Sequence, residues 1–390
     1  MKIVLFTHPT FLAHQSMPRF AQMIAVGMKQ KGHEVIAWSP RALFLKLAFK
    51  NPFLEKWLGY IDQYVIFPIK VKFRLLRCAK DTLFVFSDNA LGPYVPLVNN
   101  RCHVVHCHDF LAQQSAFGLL PENKTGMTGK YYQKFIRWGY RKADNFICIS
   151  KKTQTDLHLL LTKTLKMSEV VYNGLNQNFE PATNKTELRE VLSNKYGIDL
   201  SMGYILHVGG NVFYKNKLGV LEIYDQWALD FMANVPLILV GPPPSEEMLA
   251  FKEKSIVSKS IYFITDVDDL QLQQFYQAAS VMVFPSLYEG FGWPIVEAMA
   301  SGCLVITTNE NPMREVAGDA GFYIPKKFFN LEILEEWKKN AAQELEKVMQ
   351  LNPVQSEAAK QKSILRSKEF SAQGFVDFIE DINLKIIDNK

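Results

Sequence analysis

Two glutamates and two glycines surround a predicted turn in the sequence YEGFGWPIVEAMASG, residues 288–302. Glu289 lies on the turn, and Glu297 lies eight positions later, in the second turn of the predicted helix that follows. Gly290 and Gly292 permit close backbone approach and unusual dihedral angles. The free amides at a helix start, together with the positive end of the helix dipole, favour an anion. The stretch therefore predicts an anion-binding turn with a carboxylate on each side.

A ligand with a phosphate between two sugars would meet all of these groups. Glu297 can accept two hydrogen bonds from vicinal hydroxyls such as those of a ribose, and Glu289 can meet hydroxyls of the group joined to the anion. A simpler explanation is that acidic residues are common at helix starts, where the dipole favours them. That explanation accounts for one glutamate at the helix start, but not for Glu289 before the helix or for the two glycines. We therefore expect a sugar–phosphate–ribose ligand.

Alternating strands and helices indicate the scaffold that positions this turn. Continuous apolar runs are typical of buried parallel strands, and they occur in two groups. The first group is 2–8, 33–39, 102–108 and 146–150, and the second is 204–210, 235–241, 260–266, 281–286 and 303–308. The polar, turn-rich segment 170–187 between the groups is typical of a linker. We expect an α/β fold with two doubly wound domains whose strands present their carboxyl ends across one cleft, where ligands bind.

Composition narrows the class of protein. The 390 residues are 48% hydrophobic, and no apolar run reaches the roughly 18 residues of a membrane span. The N-terminus becomes polar too soon for a signal peptide. Five cysteines without C-x-x-C spacing indicate free thiols in a reducing cytosol. The net charge of +5 is too small to indicate nucleic-acid binding by itself. We expect a cytoplasmic protein that does not bind nucleic acid.

Positive charge is concentrated in one segment. Residues 41–80 contain nine Lys or Arg and two acids, a net of 9 − 2 = +7, which leaves 5 − 7 = −2 for the rest of the chain. The same segment holds eight aromatic residues: Phe44, Phe49, Phe53, Trp57, Tyr60, Tyr64, Phe67 and Phe73. Six more Lys or Arg lie in residues 124–142. These residues form either a surface that docks on an anionic membrane or a solvated helical insert whose rings face the core.

Six motifs in order along the chain resemble those of retaining glycosyltransferases of family 4, which have the GT-B fold. EGFGWPIVEAMASG resembles the E-x7-E signature of the family, and VVYNGLNQNF resembles its hinge element. The other four are ICISKKT (147–153), MREVAGDAGFYI (313–324), HVVHCHDF (103–110) and HVGGNVFYKNK (207–217). The resemblance implies two Rossmann-like domains: an acceptor domain, 1–172, with a C-terminal helix of about 372–390 crossing back to it, and a nucleotide-sugar-binding domain, 173–371.

The resemblance also implies roles for individual residues. Three are catalytic: Lys215 contacts the donor phosphates, His108 contacts a hydroxyl of the donor sugar, and Glu289 lies at the reaction centre. The residues predicted to bind the donor are Ser16, Gly210, Asn211, Val267, Gly290, Phe291, Gly292 and Glu297. Asn211 stands where the family usually has an arginine, so the charge falls on Lys215 alone or is shared with Lys217. Lys217 is equally consistent with a solvated surface lysine.

Two motifs that resemble metal sites have simpler explanations, and one loop differs from the pattern of the family. HCHD lacks the further residues of a metal-hydrolase motif, so His106 is expected to be a packed neighbour of His108. The D-x-D within TDVDD precedes an evident helix, so Asp268 or Asp269 is expected to cap that helix. No metal and no cofactor are therefore expected. The loop after the first strand lacks the family's Gly-rich turn. Either Ser16 makes that phosphate contact or the loop is set differently, and His8 is expected to be a polar loop residue.

The resemblance implies a retaining hexosyltransferase. It would move a sugar from a UDP- or GDP-sugar to a hydroxyl of a glycan or lipid-linked acceptor in cell-surface polysaccharide or glycolipid assembly. We expect it in the cytoplasm, peripheral on the inner face of the membrane. A nucleotide-sugar epimerase of the same fold and a catalytically inactive nucleotide-sugar-binding scaffold remain alternatives. Donor turnover in the presence of candidate acceptors would distinguish the three.

Overall fold

Two parallel six-stranded sheets form the framework of the protein in a computed structural model. The structure describes residues 1–12, 16–48, 51–175, 177, 179–232 and 235–389, without the side chains of Ser16 and Leu331. Each sheet lies in its own unit of the chain. Unit 1 is Met1–Asn176 together with Ala372–Lys390, and unit 2 is Gln177–Ser371.

Unit 1 is built on a sheet with the strand order β2-β1-β3-β4-β5-β6. Its strands are β1 (Lys2–Phe6), β2 (Glu34–Trp38), β3 (Leu83–Phe86), β4 (His103–Cys107), β5 (Asn145–Cys148) and β6 (Met167–Val170). Its helices are α1 (Ser16–Gln30), α2 (Pro52–Ile61), α3 (Phe67–Leu75), α4 (Leu111–Ala116), α5 (Met127–Tyr140), α6 (Lys151–Leu160) and, at the C-terminus, α15 (Ala372–Asp388). The central strands β3 and β4 are entirely buried, as their apolar sequences require.

Helices α2 and α3 of unit 1 run on from each other through a π-helical segment, Asp62–Ile66. Pro68 follows this segment at the second position of α3. A proline has no backbone N–H and its ring clashes with the preceding turn, so a widened turn accommodates it. The segment places the Asp62 carboxylate where it accepts backbone N–H bonds from Leu43, Phe44 and Leu45 at 2.9–3.0 Å.

Unit 2 repeats the architecture with the strand order β12-β11-β10-β7-β8-β9. Its strands are β7 (Ile205–Val208), β8 (Leu237–Val240), β9 (Ile261–Ile264), β10 (Val281–Phe284), β11 (Leu304–Thr308) and β12 (Phe322–Ile324). Its helices are α7 (Lys185–Tyr196), α8 (Lys217–Phe231), α9 (Glu246–Lys254), α10 (Asp269–Ala278), α11 (Trp293–Ala300), α12 (Met313–Ala317), α13 (Leu331–Met349) and α14 (Pro353–Ser367).

The C-terminal helix α15 packs on α1 within unit 1. A Cβ on Gly27 would lie 2.3 Å from a methyl of Val376, so only glycine allows this approach. Charged contacts flank the apolar one, because Lys31 Nζ lies 2.6 Å from the Asp377 carboxylate and His33 Nε2 lies 2.6 Å from that of Glu380. Helix α15 therefore completes one face of the unit that begins the chain.

The predicted α/β fold with two doubly wound parallel sheets is confirmed. Strands β3, β6 and β12 are absent from the sequence prediction. Strands β6 and β12 are short and mostly half-buried, so they lack a long apolar run, whereas the buried run of β3 carries the expected signal. All five cysteines are free, as expected, and four of them are buried.

Candidate functional site

The sheet of unit 2 has a topological switch point between β7 and β10, where the chain order of neighbouring strands reverses. Loops that follow the two strands diverge there, and such a point at the carboxyl edge of a parallel sheet is the usual ligand site of this architecture. The loops are fastened to each other. The Asn216 side-chain amide donates to the carbonyl of Pro285 at 3.0 Å, and the Leu287 N–H donates to that of Tyr214 at 2.8 Å.

Lys215 and Glu289 meet at this switch point. The Lys215 ammonium lies 2.7 Å from a Glu289 carboxylate oxygen, and both side chains are largely buried. The ammonium also lies 5.2 Å from the centre of the Phe284 ring. The sequence assigns these two residues to different parts of one ligand. The structure brings them together as an ion pair in unit 2.

Lys217 is not a solvated surface lysine, so that alternative is wrong. It is the first residue of α8 and only 3% exposed, because Asn216 before it takes a left-handed conformation with φ 53°. Its ammonium donates to the side-chain carbonyl of Asn211 at 3.0 Å. Burial lowers the pKa of Lys217 to about 8. Lys217 and Asn211 together occupy the place where the resemblance implies a single arginine.

The predicted glycines differ in whether their backbone conformation and packing require a glycine. Gly292 precedes α11 with φ 103°, a conformation that side chains rarely adopt. The backbone φ angle of Gly290 is not positive. A Cβ on Gly210 would meet no atom within 4 Å, so packing does not require a glycine there.

Glu297 is buried in the second turn of α11, and one carboxylate oxygen accepts a hydrogen bond from the Tyr276 hydroxyl at 2.9 Å. The side chain of Phe291 is buried and packs edge-on against the Phe370 ring at 5.6 Å. Val267 is half-buried on the loop before α10.

The helix-cap prediction is confirmed for Asp268, which accepts from the Gln271 N–H at 2.8 Å. Within the described ranges, no group of three or more His, Cys, Asp or Glu is arranged to hold a metal ion.

His108 lies in unit 1, directly after β4. Its ring packs edge-on against Phe20 at 4.3 Å, and its Nε2–H donates to the carbonyl of Ser87 at 2.9 Å. Burial lowers the pKa of His108, which keeps the imidazole neutral. A neutral imidazole carries one N–H, so Nδ1 is then a hydrogen-bond acceptor. His106 is fully buried against the same phenylalanine at 5.3 Å, which confirms it as a packed neighbour.

Unit 1 has its own switch point between β1 and β3, and His8 and Asp88 meet there. His8 Nε2 lies 2.8 Å from an Asp88 carboxylate oxygen. Burial alone would raise the pKa of Asp88, but the hydrogen bond and charge of His8 hold it below its usual value. The prediction of His8 as an ordinary polar loop residue missed this partner, which lies 80 residues away in the sequence. The side chain of Ser16, predicted to contact the donor, falls outside the described residues.

The basic segment of unit 1 divides its aromatic residues between core and surface. Phe67 is buried, and the hydroxyls of Tyr64 and Tyr132 hydrogen-bond at 2.7 Å. Phe53 and Phe73 are 69% exposed, and Trp57 is 51% exposed. Phe44 is also exposed, and Phe49 falls outside the described residues. Some of these rings therefore pack in the core, as the helical-insert alternative expects, and others are exposed at the surface.

Rings of α2, the π-helical segment and α5 form one connected series, in which Tyr60 and Tyr64 are half-buried and the other members are exposed. Ring contacts of 5.4–6.2 Å run through Phe53, Trp57, Tyr60, Tyr64, Phe135 and Trp138. We call the exposed members of this series, with Phe73 and the neighbouring exposed cations Lys56, Lys72, Arg77, Lys130 and Lys134, the basic–aromatic surface. No ion pair involves these five cations within the part of the chain that the structure describes.

Comparison with known proteins shows which proteins this chain is similar to. Residues 189–353 match the family model described as "Glycosyl transferases group 1". O-antigen chain mannosyltransferase B of Escherichia coli is 37% identical over 121 residues, which are 30% of this chain and 32% of that protein. A serotype-specific mannosyltransferase of the same species matches over 22% of its own length. The chain therefore spans about a third or less of these curated relatives.

Solved structures show the fold over nearly the whole chain. Anabaena HepE in complex with UDP and glucose aligns with a TM-score of 0.71 at 15% identity, covering 98% of this chain and 99% of that one. WaaG, a glycosyltransferase involved in lipopolysaccharide biosynthesis, aligns with the same TM-score and identity over 97% and 99%. The fold is GT-B. Among the helices that the structure describes, none is both long and apolar enough to span a membrane.

Proposed function

We propose that the protein is a glycosyltransferase that moves a hexose from a nucleoside-diphosphate sugar to a hydroxyl of a glycan or lipid-linked acceptor. The observation that carries this proposal is the Lys215–Glu289 pair at the switch point of unit 2, within the segment-level match to glycosyltransferases. A fixed cation, a carboxylate and a glycine-led helix start lie at one sheet edge, which suits a sugar diphosphate.

The donor diphosphate is proposed to draw Lys215 away from Glu289. The lysine then offsets the charge of the leaving group, and the glutamate turns to hydroxyls of the transferred sugar. Lys217 adds a second positive charge, because a nearby diphosphate favours its protonated form. Glu297, held by Tyr276, is proposed to accept hydrogen bonds from the ribose hydroxyls. Two lysines in this place support transfer without a metal, and Asp268 is already engaged as a helix cap.

The transfer is proposed to retain the anomeric configuration. The bond between the anomeric carbon and the phosphate oxygen breaks, and the acceptor oxygen bonds to the same face of the sugar. The acceptor proton passes to the departing phosphate oxygen. His108, as a neutral acceptor at Nδ1, is proposed to receive a hydrogen bond from a hydroxyl of the donor sugar.

A second candidate mechanism is inverting transfer with His8 as general base, and the His8–Asp88 contact favours it. A carboxylate that orients an imidazole is the usual arrangement for taking a proton from a hydroxyl. In that mechanism the acceptor proton goes to His8, and the acceptor oxygen bonds to the face opposite the leaving phosphate. The anomeric configuration of the product, read by NMR, separates the two mechanisms.

Mannose is the proposed sugar, because two of the matched curated relatives are named mannosyltransferases. The test is turnover of UDP- and GDP-linked mannose and glucose with and without glycan and lipid-linked acceptors. We expect donor consumption that depends on the acceptor and yields a new glycosidic bond. An epimerase would convert the donor without an acceptor. A scaffold would bind the donor without consuming it, and either result would contradict the proposal.

The acceptor is proposed to lie at an anionic membrane surface on the cytoplasmic side, to which the protein binds peripherally. The basic–aromatic surface supports this, since aromatic rings settle at the headgroup level and each nearby Lys or Arg contributes about 1 kcal/mol of attraction.

The test of the membrane proposal is co-sedimentation with phosphatidylcholine vesicles that contain phosphatidylglycerol. We expect binding at low salt that weakens as salt screens the charges. The triple substitution Phe53→Ser, Trp57→Ser and Phe73→Ser should abolish it. The matched control is Leu229→Ser, Leu270→Ser and Phe328→Ser, three exposed apolar residues of unit 2. Failure of the wild-type protein to sediment, or equal loss in the control, would rule out this surface.

A further inference from the structure

A small basic pocket lies in unit 1 where β2 ends. Its cavity of about 130 Å³ is lined by Ser39 and Arg41 from the loop after β2, by Asp62 from the π-helical segment, and by Lys70 and Arg74 from α3. This volume is larger than a single water needs. The pocket is separate from the Lys215–Glu289 pair, which belongs to unit 2.

The pocket carries positive charge without a counter-ion. Both oxygens of Asp62, its only acid, accept hydrogen bonds from backbone N–H groups, and the residue is buried. No ion pair to Arg41, Lys70 or Arg74 occurs among the residues that the structure describes. Three cations against one carboxylate leave a charge of 3 − 1 = +2 at one cavity.

The elements that carry the three cations are ordered before any ligand arrives, and the side chains of Arg41, Lys70 and Arg74 are exposed. The Arg74 guanidinium lies over the ring of buried Trp38, 5.3 Å from its centre. Lys70 precedes it by one helical turn, so both project from the same side of α3. The bonds from Leu43 and Phe44 to Asp62 fix the loop that carries Arg41.

The position of the pocket connects it with the acceptor side of the proposed reaction. It lies at the carboxyl edge of the sheet, the edge that also carries His8, Asp88 and His108. In the order β2-β1-β3-β4, the strand before His108 is three neighbours from β2, which corresponds to roughly 14 Å. A group held in the pocket would therefore lie a few sugar lengths from His108 within the same unit.

We propose that this pocket binds a phosphate group of the acceptor. Cations that converge from a loop and from two turns of a helix match a tetrahedral anion with several oxygens, and arginine forks suit phosphate. A carboxylate has only two oxygens and would leave part of the charge unmatched. The proposal rests on the proposed function only in naming the acceptor as the source. That phosphate belongs either to a lipid carrier or to a soluble phosphorylated glycan.

The test is titration of the full-length protein with inorganic pyrophosphate by calorimetry at low salt. We expect two sites per chain, one at the donor edge of unit 2 and one in the pocket. Arg41→Gln with Lys70→Gln should weaken the pocket site about tenfold or more, the scale of lost charge-assisted hydrogen bonds. Lys215→Ala should weaken the other site. Arg74 is kept, because it packs on Trp38.

The matched control is Lys29→Gln with Lys254→Gln, which removes two exposed charges elsewhere and should leave both sites intact. Melting curves verify that each variant is folded. One pyrophosphate site per chain, lost in Lys215→Ala and unchanged in the pocket variant, would overturn the proposal. Absence of sugar transfer with the pocket site intact would instead contradict the proposed function alone.

The source of the phosphate is read by calorimetry with monomeric short-chain phosphatidic acid and with a hexose phosphate, because neither offers a membrane surface to the exposed rings of α2. If the pocket variant loses the phosphatidic acid site and the hexose phosphate does not compete for it, the group is a lipid phosphate. If the pocket variant loses a hexose phosphate site and the wild-type protein does not bind phosphatidic acid, the group belongs to a soluble glycan phosphate. Both results support the pocket, and equal pyrophosphate affinity in wild type and pocket variant refutes it.

Discussion

Each sheet of this protein carries a pair of contacting ionisable side chains at its switch point, and the two pairs are chemically different. In unit 2 the pair is Lys215 with Glu289, and buried Lys217 lies on the next helix start. In unit 1 the pair is His8 with Asp88. A lysine–glutamate pair near neutral pH consists of permanent charges, which suit the stabilisation of a diphosphate. A histidine–aspartate pair can exchange a proton or orient a hydroxyl. One architecture therefore presents a lysine–glutamate pair at the sheet edge of one unit and a histidine–aspartate pair at that of the other.

Removal of Lys215 is expected to break the unit 2 edge most severely. Lys215→Ala should lower turnover by roughly 10²–10³-fold at saturating donor, as for the loss of one preorganised charge-stabilising donor. Glu289→Gln serves as the comparison, since it removes the partner but keeps the lysine. A decrease of less than tenfold in Lys215→Ala would place leaving-group stabilisation on another residue.

Lys217 should make donor binding depend on pH. Its pKa of about 8 means that the free protein loses this charge above pH 8, whereas a bound diphosphate favours the protonated form. Affinity for the nucleoside diphosphate should therefore fall above pH 8 by up to about tenfold per unit. Lys217→Met should weaken binding at pH 7 by roughly 1.5–3 kcal/mol and flatten this profile.

Lys217→Met should weaken nucleoside-diphosphate binding, but it should not lower the stability of the protein. Because burial lowers the pKa of Lys217 from 10.5 to about 8, the unfolded chain binds more protons than the folded one between these pH values, and stability from this residue rises with pH across that window. Lys217→Met removes a buried charge, so its melting temperature at pH 7 should not fall. A destabilised variant with an unchanged pH profile would show that Lys217 is structural.

Glu297 tests the ribose end of the same edge. Glu297→Gln should weaken nucleoside-diphosphate binding by roughly 1–3 kcal/mol, the scale of hydrogen bonds to a charged group. Tyr276→Phe is the matched control, because it removes the observed partner of Glu297 but keeps the carboxylate. Unchanged affinity in calorimetry for Glu297→Gln would remove this residue from the site.

Substitution of His8 is expected to have the smallest effect on turnover, and its outcome separates the retaining from the inverting mechanism. If His8 only orients an acceptor hydroxyl, His8→Asn should raise the acceptor KM by the equivalent of roughly 0.5–1.5 kcal/mol and leave kcat nearly unchanged. If it is a general base, kcat should fall by roughly 10²–10⁴-fold. The second result, with an inverted product, would replace the retaining mechanism.

Sequence patterns predicted the structural features that depend only on residues close together in the chain. The turn that carries Glu289, the helix start at Gly292 and the cap at Asp268 depend on neighbouring residues, and each is found where it was expected. Contacts between distant segments were not predictable. The His8–Asp88 and Tyr276–Glu297 contacts join different strands or helices, and no local pattern marks them.

The burial of individual side chains was also not predictable from the sequence. Lys217 follows Lys215 and Asn216, residue types that are typical of a surface, yet the left-handed Asn216 turns Lys217 into the interior. The basic segment has a similar limit. Its rings are of the same residue types, but Tyr64 of the π-helical segment packs against Phe135 of α5 and is half-buried, whereas Phe53 of α2 remains exposed.

The return of α15 to unit 1 gives protein synthesis a fixed order of events. The surface of α1 around Gly27 is complete only when Val376 has left the ribosome, after all 195 residues of unit 2. At roughly 5–20 residues per second, the nascent first unit waits about 10–40 s with this surface uncovered. A chain that ended at Ser371 would lack α15, and this surface of α1 would stay uncovered.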